Sequence, residues 1–273
     1  MEIDSQVSAV AEMGGQYSLG RILGIWALAA IPMGILGWIV FPALSPDLGS
    51  DPLGFGVTRI VLLTIGLIWL FVLSMIIVRQ EEGDLRWATV KRRLRLNTPR
   101  DPTTGETRRR LWLWVIPFLI AVVVWEVALK SYLTEIWVSI FPFIAEPPGY
   151  SFGAIFESQE ILDRLMGAWW FFGLFVVFAV FNSILGEEFL FRGVLLPKME
   201  EVFGRWSWVA NGVLHAFWHV HQPWVIAETV ISSVFLYTFP SWRFRSTWIG
   251  VIVHSVQNAF FAFLVLGVIL GLA

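Results

Sequence analysis

Apolar positions in this chain gather into seven long runs: Ile22–Leu44, Ile60–Val78, Leu111–Leu129, Met166–Leu196, Trp206–Gln222, Trp224–Phe239 and Trp248–Leu272. Runs of about 17 to 25 apolar residues are transmembrane helix candidates, because that length carries a helix across the hydrocarbon layer. The fourth run is longer than one crossing needs, and the fifth and sixth are short. The pattern therefore predicts an all-α, polytopic transmembrane bundle of about seven helices, or eight if the fourth run is split. Tryptophan pairs stand near several run ends: Trp112 and Trp114, Trp169 and Trp170, Trp206 and Trp208, Trp242 and Trp248. Indoles favour the membrane–water interface, which supports these boundaries.

Composition agrees. Of 273 residues, 57% are hydrophobic and 15% charged, where soluble domains carry about a quarter charged. The net charge of −2 argues against a nucleic-acid partner, and the absence of cysteine excludes disulfides, thiolate metal sites and cysteine nucleophiles. The first eighteen residues lack the basic and apolar regions of a cleavable signal peptide, so the first helix is expected to be the anchor. Ten of the nineteen Lys and Arg residues lie between Arg79 and Arg110. With that loop in the cytoplasm, fifteen fall inside, Arg59, Lys130 and Arg164 outside, and Arg192 within the membrane. This bias predicts a cytoplasmic N-terminus in a plasma membrane. The basic loop is read as a topology determinant rather than a surface for anionic lipid. Its segment "LNTPRDPTTGETR" is turn-rich and expected to be poorly ordered.

The exceptions to the apolar pattern carry the chemistry. An ionised residue at mid-helix costs about 2.5–3.5 kcal/mol on insertion scales, so such residues are rare and usually functional. The stretch "LGEEFLFRGVL" places Glu187, Glu188 and Arg192 inside the fourth run. Glu188 and Arg192 are four apart and share a helix face, so they can pair. Glu187 has no obvious local partner. A buried carboxylate beside other polar groups has the character of a general base, although the three residues would equally make a structural ion cluster.

All four histidines follow. "HAFWHVH" puts His215 and His219 on one helix face with His221 turned away, and "HSVQN" does the same for His254 and Asn258. Imidazole and amide groups facing lipid are unfavourable, so these faces should point into the bundle. At 1.5 Å per residue, Glu187 lies roughly 14 Å from the boundary near Leu196, His219 roughly 20 Å from Trp206, and His254 and Asn258 roughly 10 and 16 Å from Thr247. Three helices thus bring polar groups to similar depth. Such a set suits amide hydrolysis: Glu187, assisted by His219, deprotonates a water, and His254 and Asn258 hydrogen-bond the oxyanion. The same groups offer a second use, with Glu187, His219 and His254 binding zinc. His215 and His219 lack the glutamate of a zincin helix, since Ala216 stands there.

The order "EEFLFR", "HAFWHVH", "HSVQN" resembles the CAAX protease and bacteriocin-processing (CPBP) family, which includes the type II CAAX prenyl proteases. That family's pattern is Glu-Glu-xxx-Arg, Phe-xxx-His and His-xxx-Asn. Glu187, Glu188, Arg192, His219, His254 and Asn258 match it, whereas His215 stands at the usual Phe, and His219-Val-His221 looks like the His-x-His of the prenyl-protease branch. The resemblance covers Gly167 to Phe261 and leaves the first three helices unassigned. It implies an intramembrane endopeptidase with Glu187 and His219 on the water, His254 and Asn258 at the oxyanion, and Glu188 and Arg192 supporting them. It also implies a pocket open to the cytosol and a metal-free glutamate mechanism in preference to zinc. His215 would either fill the Phe space with a local hydrogen bond or add a ligand.

The expected organisation is a cytoplasmic tail over 1–20, amino-terminal helices over 21–164 containing the basic loop 79–110, and a catalytic membrane core over 165–273. The expected substrate is a membrane-anchored or lipidated, CaaX-like protein, and the expected surroundings are membrane lipids. Two rivals stand beside this reading: a non-catalytic scaffold or immunity-type protein, and a proton- or ion-coupled transporter. Glu126 and Glu228 read as interface carboxylates. Asn182 and Ser183 read as helix-packing or pocket residues.

Overall fold

The computed structural model describes residues 15–151, 153–156 and 158–272. The expected tail therefore lies largely outside the described residues. Among those described, six helices are long and apolar enough to cross a membrane: α1 (Leu19–Leu44), α2 (Pro52–Glu82), α3 (Arg109–Ile140), α4 (Trp169–Lys198), α6 (Pro223–Arg243) and α7 (Thr247–Ile269). Between α4 and α6 stands α5 (Ser207–Trp218), only twelve residues long. With α5 these make up the expected bundle of about seven helices; α5 itself, twelve residues at 1.5 Å each, rises about 18 Å against a layer of about 30 Å. The fourth run is one unbroken helical segment.

Local chemistry sets the ends. Ser18 Oγ accepts from Arg21 N at the start of α1, and Asp51, with Pro52 at the first helical position, caps α2 by accepting from Gly54 N. Gly83 ends α2 in the left-handed conformation at φ 81°, which glycine adopts without steric penalty. Outward positions stay apolar, as with Ile116, Ile120, Val123 and Val127 of α3. In water such a surface would be a liability; against lipid tails it is the matching one. The protein is an integral, multi-pass membrane protein.

The interior is organised by α2 and α4, which lie against each other along their lengths. At one end Leu67, Leu70 and Leu73 of α2 meet Phe189, Leu190 and Val194 of α4, with Ile22 and Met33 of α1. At the other, Leu53 and Ile60 meet Phe171 and Phe175 together with Val265 and Val268 of α7. The approach is closest at Gly186, where a Cβ would stand 2.8 Å from the Leu67 carbonyl oxygen and also against that of Phe181. Helices held together without hydrophobic drive depend on such small residues.

The "LNTPRDPTTGETR" segment is ordered, contrary to expectation. Leu94 and Leu96 are fully buried beside α4, and the turn closes with Asp101 N donating to Glu106 O and Gly105 N to Asp101 O. Thr247 Oγ1 donates to Leu94 O and Ser246 Oγ to Asn97 O, and Arg100 N donates to Phe244 O. Arg93 donates to the carbonyls of Gly193 and Val194 and is paired with Glu81. The loop therefore caps that end of α4 and α7.

Gly186→Ala is expected to cost about 1–3 kcal/mol through overpacking against backbone, read as a lower midpoint of thermal unfolding in detergent. Gly173→Ala, where a Cβ meets nothing within 4 Å, is the control expected to leave the midpoint unchanged.

Candidate active site

Wider, π-helical turns run from Phe181 to Gly186 and from Glu188 to Leu195 in α4, and from Ser232 to Thr238 in α6. Such turns are uncommon and concentrate at functional sites. Here they direct neighbouring carboxylates to different helices. Glu187 faces α5, where its Oε2 is 2.6 Å from His215 Nε2. Glu188 faces α7, where its Oε1 is 3.0 Å from His254 Nδ1. Both glutamates and both histidines are buried.

The protons can be placed from donor inventory. Arg192 Nη2 donates to Ser233 Oγ at 3.0 Å, which leaves the serine hydrogen free for His215 Nδ1 at 2.8 Å. His215 then carries its hydrogen on Nε2 and donates it to Glu187. Arg192 Nη1 lies 3.3 Å from Glu188 Oε1, and that oxygen also receives His254 Nδ1–H. A chain of polar contacts thus runs Glu187–His215–Ser233–Arg192–Glu188–His254 through α4, α5, α6 and α7. The expected Glu188–Arg192 pair is present. Gly250 makes room for it, since a Cβ there would stand 2.5 Å from Glu188 Oε2.

The direct hydrogen-bond partner of Glu187 is His215, which stands at the family's usual Phe, while His219 lines the same cavity. The helix stops at Trp218, so His219 lies beyond α5 rather than on its face. There its Nδ1 bonds the His215 carbonyl at 3.2 Å, standing in for a main-chain donor. The turn over 219–222 leaves carbonyls without helical partners, which lipid does not tolerate. Indole N–H groups answer it: Trp38 donates to Val220 O and Trp137 to Pro223 O. His221, buried, stacks on His219 at 5.7 Å.

Glu187, His215, His219, His221, His254 and Asn258 all line one cavity of about 640 Å³. Asn258 Nδ2 donates to Asn182 Oδ1 at 3.1 Å, confirming Asn182 as a pocket residue. His254 rests on the Tyr237 ring, 4.5 Å away and near parallel. Tyr237 and Ser233 were not legible in the sequence, where a lone hydroxyl in an apolar helix carries no signal. Glu126 and Glu228, read as interface carboxylates, also line this cavity. They hold Lys130 at 3.0 and 3.8 Å, and Gln257 donates to Glu126.

Among the described residues no three His, Asp or Glu side chains converge as a metal ion would need. His254 and His219 each commit Nδ1 to protein oxygens and keep Nε2 open, whereas His215 commits both nitrogens. No step is drawn through a metal.

From Glu187 the cavity extends to Arg59, Glu146, Tyr150 and Gln222, at the end of the bundle away from the basic loop. The basic loop caps the other end of α4 and α7.

Residues 168–260 match the family model described as type II CAAX prenyl endopeptidase Rce1-like. The match covers the part carrying α4 to the first half of α7, and it agrees with the resemblance to the CAAX protease (CPBP) family. No curated protein and no solved structure matches the chain.

Arg192→Ala leaves Glu188 buried without its cation and is expected to destabilise by about 3–5 kcal/mol. Ser233→Ala removes a neutral hydrogen-bond group and is expected to cost about 1 kcal/mol. Chemical unfolding of the two variants in the same detergent checks the ranking.

Proposed function

We propose that the chain is an intramembrane endopeptidase that hydrolyses a peptide bond near the C-terminus of a membrane-anchored protein. The observation that carries this reading is the placement of Glu187. One of its oxygens is held by His215, and its side chain lines a cavity shared with His219, His254 and Asn258. A water on the free side of Glu187 loses its proton to the carboxylate as it attacks the scissile carbonyl. His219, with Nδ1 occupied, offers Nε2 to the same water. The developing oxyanion takes a hydrogen bond from the second Nδ2–H of Asn258, and from His254 Nε2 when that ring carries a proton on both nitrogens with Glu188 as its counter-ion. The nitrogen of the leaving peptide then recovers the proton from Glu187. Arg192 holds Glu188 and Ser233, and so acts by positioning. The lipid-facing exterior and the family description support a lipid-anchored, prenyl-type substrate. The capped inner end supports hydrolysis in a blind cavity over passage through the bundle.

Glu187→Gln is expected to abolish cleavage while leaving the folded protein intact, and Asn258→Ala to slow it about 10²–10³-fold. Purified proteins in liposomes, given lipidated and membrane-anchored peptides with products read by mass spectrometry, check both. Cleavage that survives in Glu187→Gln removes the base assignment and favours the scaffold reading.

The proposed orientation follows the fifteen-to-three distribution of Lys and Arg. The N-terminus and the basic loop are in the cytoplasm of a cell with this protein in its plasma membrane, and the cavity mouth faces the other side. The chain has no cysteine, so single replacements report cleanly. A membrane-impermeant maleimide added to intact cells should label Ser50→Cys and spare Thr104→Cys; the reverse pattern overturns the orientation.

A further inference from the structure

The outer face of α2 ends in a cation that its neighbours leave unpaired. Val72, Met75, Ile76 and Arg79 recur at the three- and four-residue spacing of one helix face. Leu73, Ser74, Ile77 and Val78 between them are buried against the bundle. Gly83 then turns the chain back in the left-handed conformation, and Leu85 returns to the outer face. With Arg79 and Gln80 these apolar side chains line a groove of about 440 Å³. Val72, Ile76, Leu85 and Arg79 are all exposed.

The carboxylates within reach are already engaged. Glu81 holds Arg21 and Arg93, and Glu82 holds Arg92. Asp84 accepts from Arg86 N and feels the Arg79 charge without pairing with it. Among the described residues Arg79 therefore makes no ion pair, and neither do Arg86 and Lys91. Arg86 adjoins Leu85 at the groove. Lys91 stands four positions after Trp87 in the short helix Trp87–Arg93, and both are exposed. An exposed indole beside cations marks the level of the lipid headgroups.

Groove and cations together fit an amphiphile. From Phe71 to Arg79 the groove runs about 12 Å along the helix at 1.5 Å per residue, apolar until it meets the guanidinium. We propose that it binds one anionic phospholipid of the leaflet on the side of the basic loop. An acyl chain lies along Val72, Met75 and Ile76, and the headgroup phosphate meets Arg79. The planar fork of the guanidinium takes two phosphate oxygens, Gln80 offers an amide donor, and Arg86 adds a second positive charge. A zwitterionic headgroup brings its own cation to this rim and is repelled by it. The basic loop as a whole sets orientation. Its pairing separates these free cations from Arg92, Arg93 and Arg108, which protein carboxylates hold. The groove shares no lining residue with the cavity around Glu187, so the site stands independently of the proposed hydrolysis.

The test counts bound lipids. Full-length protein in a neutral detergent is titrated with phosphatidylglycerol or phosphatidylcholine of the same acyl chains, and the adducts are resolved by native mass spectrometry. The first phosphatidylglycerol is expected to bind about tenfold more tightly than phosphatidylcholine. Arg79→Gln should remove most of that preference. Val72→Trp, which fills the groove and keeps every cation, should weaken phosphatidylglycerol binding as well. Arg109→Gln, at an exposed cation outside the groove, should leave it unchanged. Equal affinity for the two lipids overturns the site, and so does a preference that survives Arg79→Gln. A loss as large in Arg109→Gln overturns it in favour of diffuse attraction to the basic surface. Unchanged phosphatidylglycerol binding in Val72→Trp overturns the groove as the seat of the lipid.

Discussion

The structure depends on the pairing of Glu188 with Arg192 inside the membrane. Neither charge could stay there alone, since each carries a desolvation penalty of several kcal/mol. Together, one turn apart on α4, they give a short neutralised segment that can be buried. Glu188 Oε1 then also takes His254 of α7, and Arg192 takes Ser233 of α6. Ser233 in turn sets the His215 tautomer on α5, and His215 holds Glu187. Four helices are thus tied by one run of polar contacts in a medium where hydrophobic drive between helices is absent. The close contacts at Gly186 and Gly250 follow from the same demand, because such short polar links require the helix axes to come near.

That run of contacts has a consequence for chemistry. The group at its end, Glu187, is oriented by a neutral histidine and left with an oxygen toward a cavity. Preorganised polar groups in a water-poor site act more strongly than the same groups in water. The broken helix at His219 serves the same end. It exposes imidazoles to the cavity at membrane depth, and indole donors from α1 and α3 satisfy the carbonyls that the break releases. The helices with no family resemblance are therefore working parts. They supply Trp38, Trp137 and the Leu67 carbonyl against which the site is positioned. The loop between α2 and α3 caps the other end of α4 and α7.

Membrane crossing, helix content and the set of polar residues of the site were legible in the sequence. Apolar run length and the rarity of charge in lipid act residue by residue, and neither needs a partner to be known. The Glu188–Arg192 pair was legible too, because helical spacing places it within a single element. The same one-dimensional logic extended α5 through His219, where only tertiary contacts report that the helix ends. It also assigned disorder to a turn-rich loop whose Leu96 turns out to pack beside α4.

The sequence by itself placed Glu187, His219, His254 and Asn258 at similar depth in three apolar runs. Only the tertiary structure decided which of them meet. His215 reaches Glu187 because α6 presents Ser233 behind it, and His219 is released because α1 and α3 provide donors for the turn. Depth is a property of one helix and its length. Contact depends on the azimuth and approach of several helices, set by glycines, wide turns and indoles scattered across the whole chain.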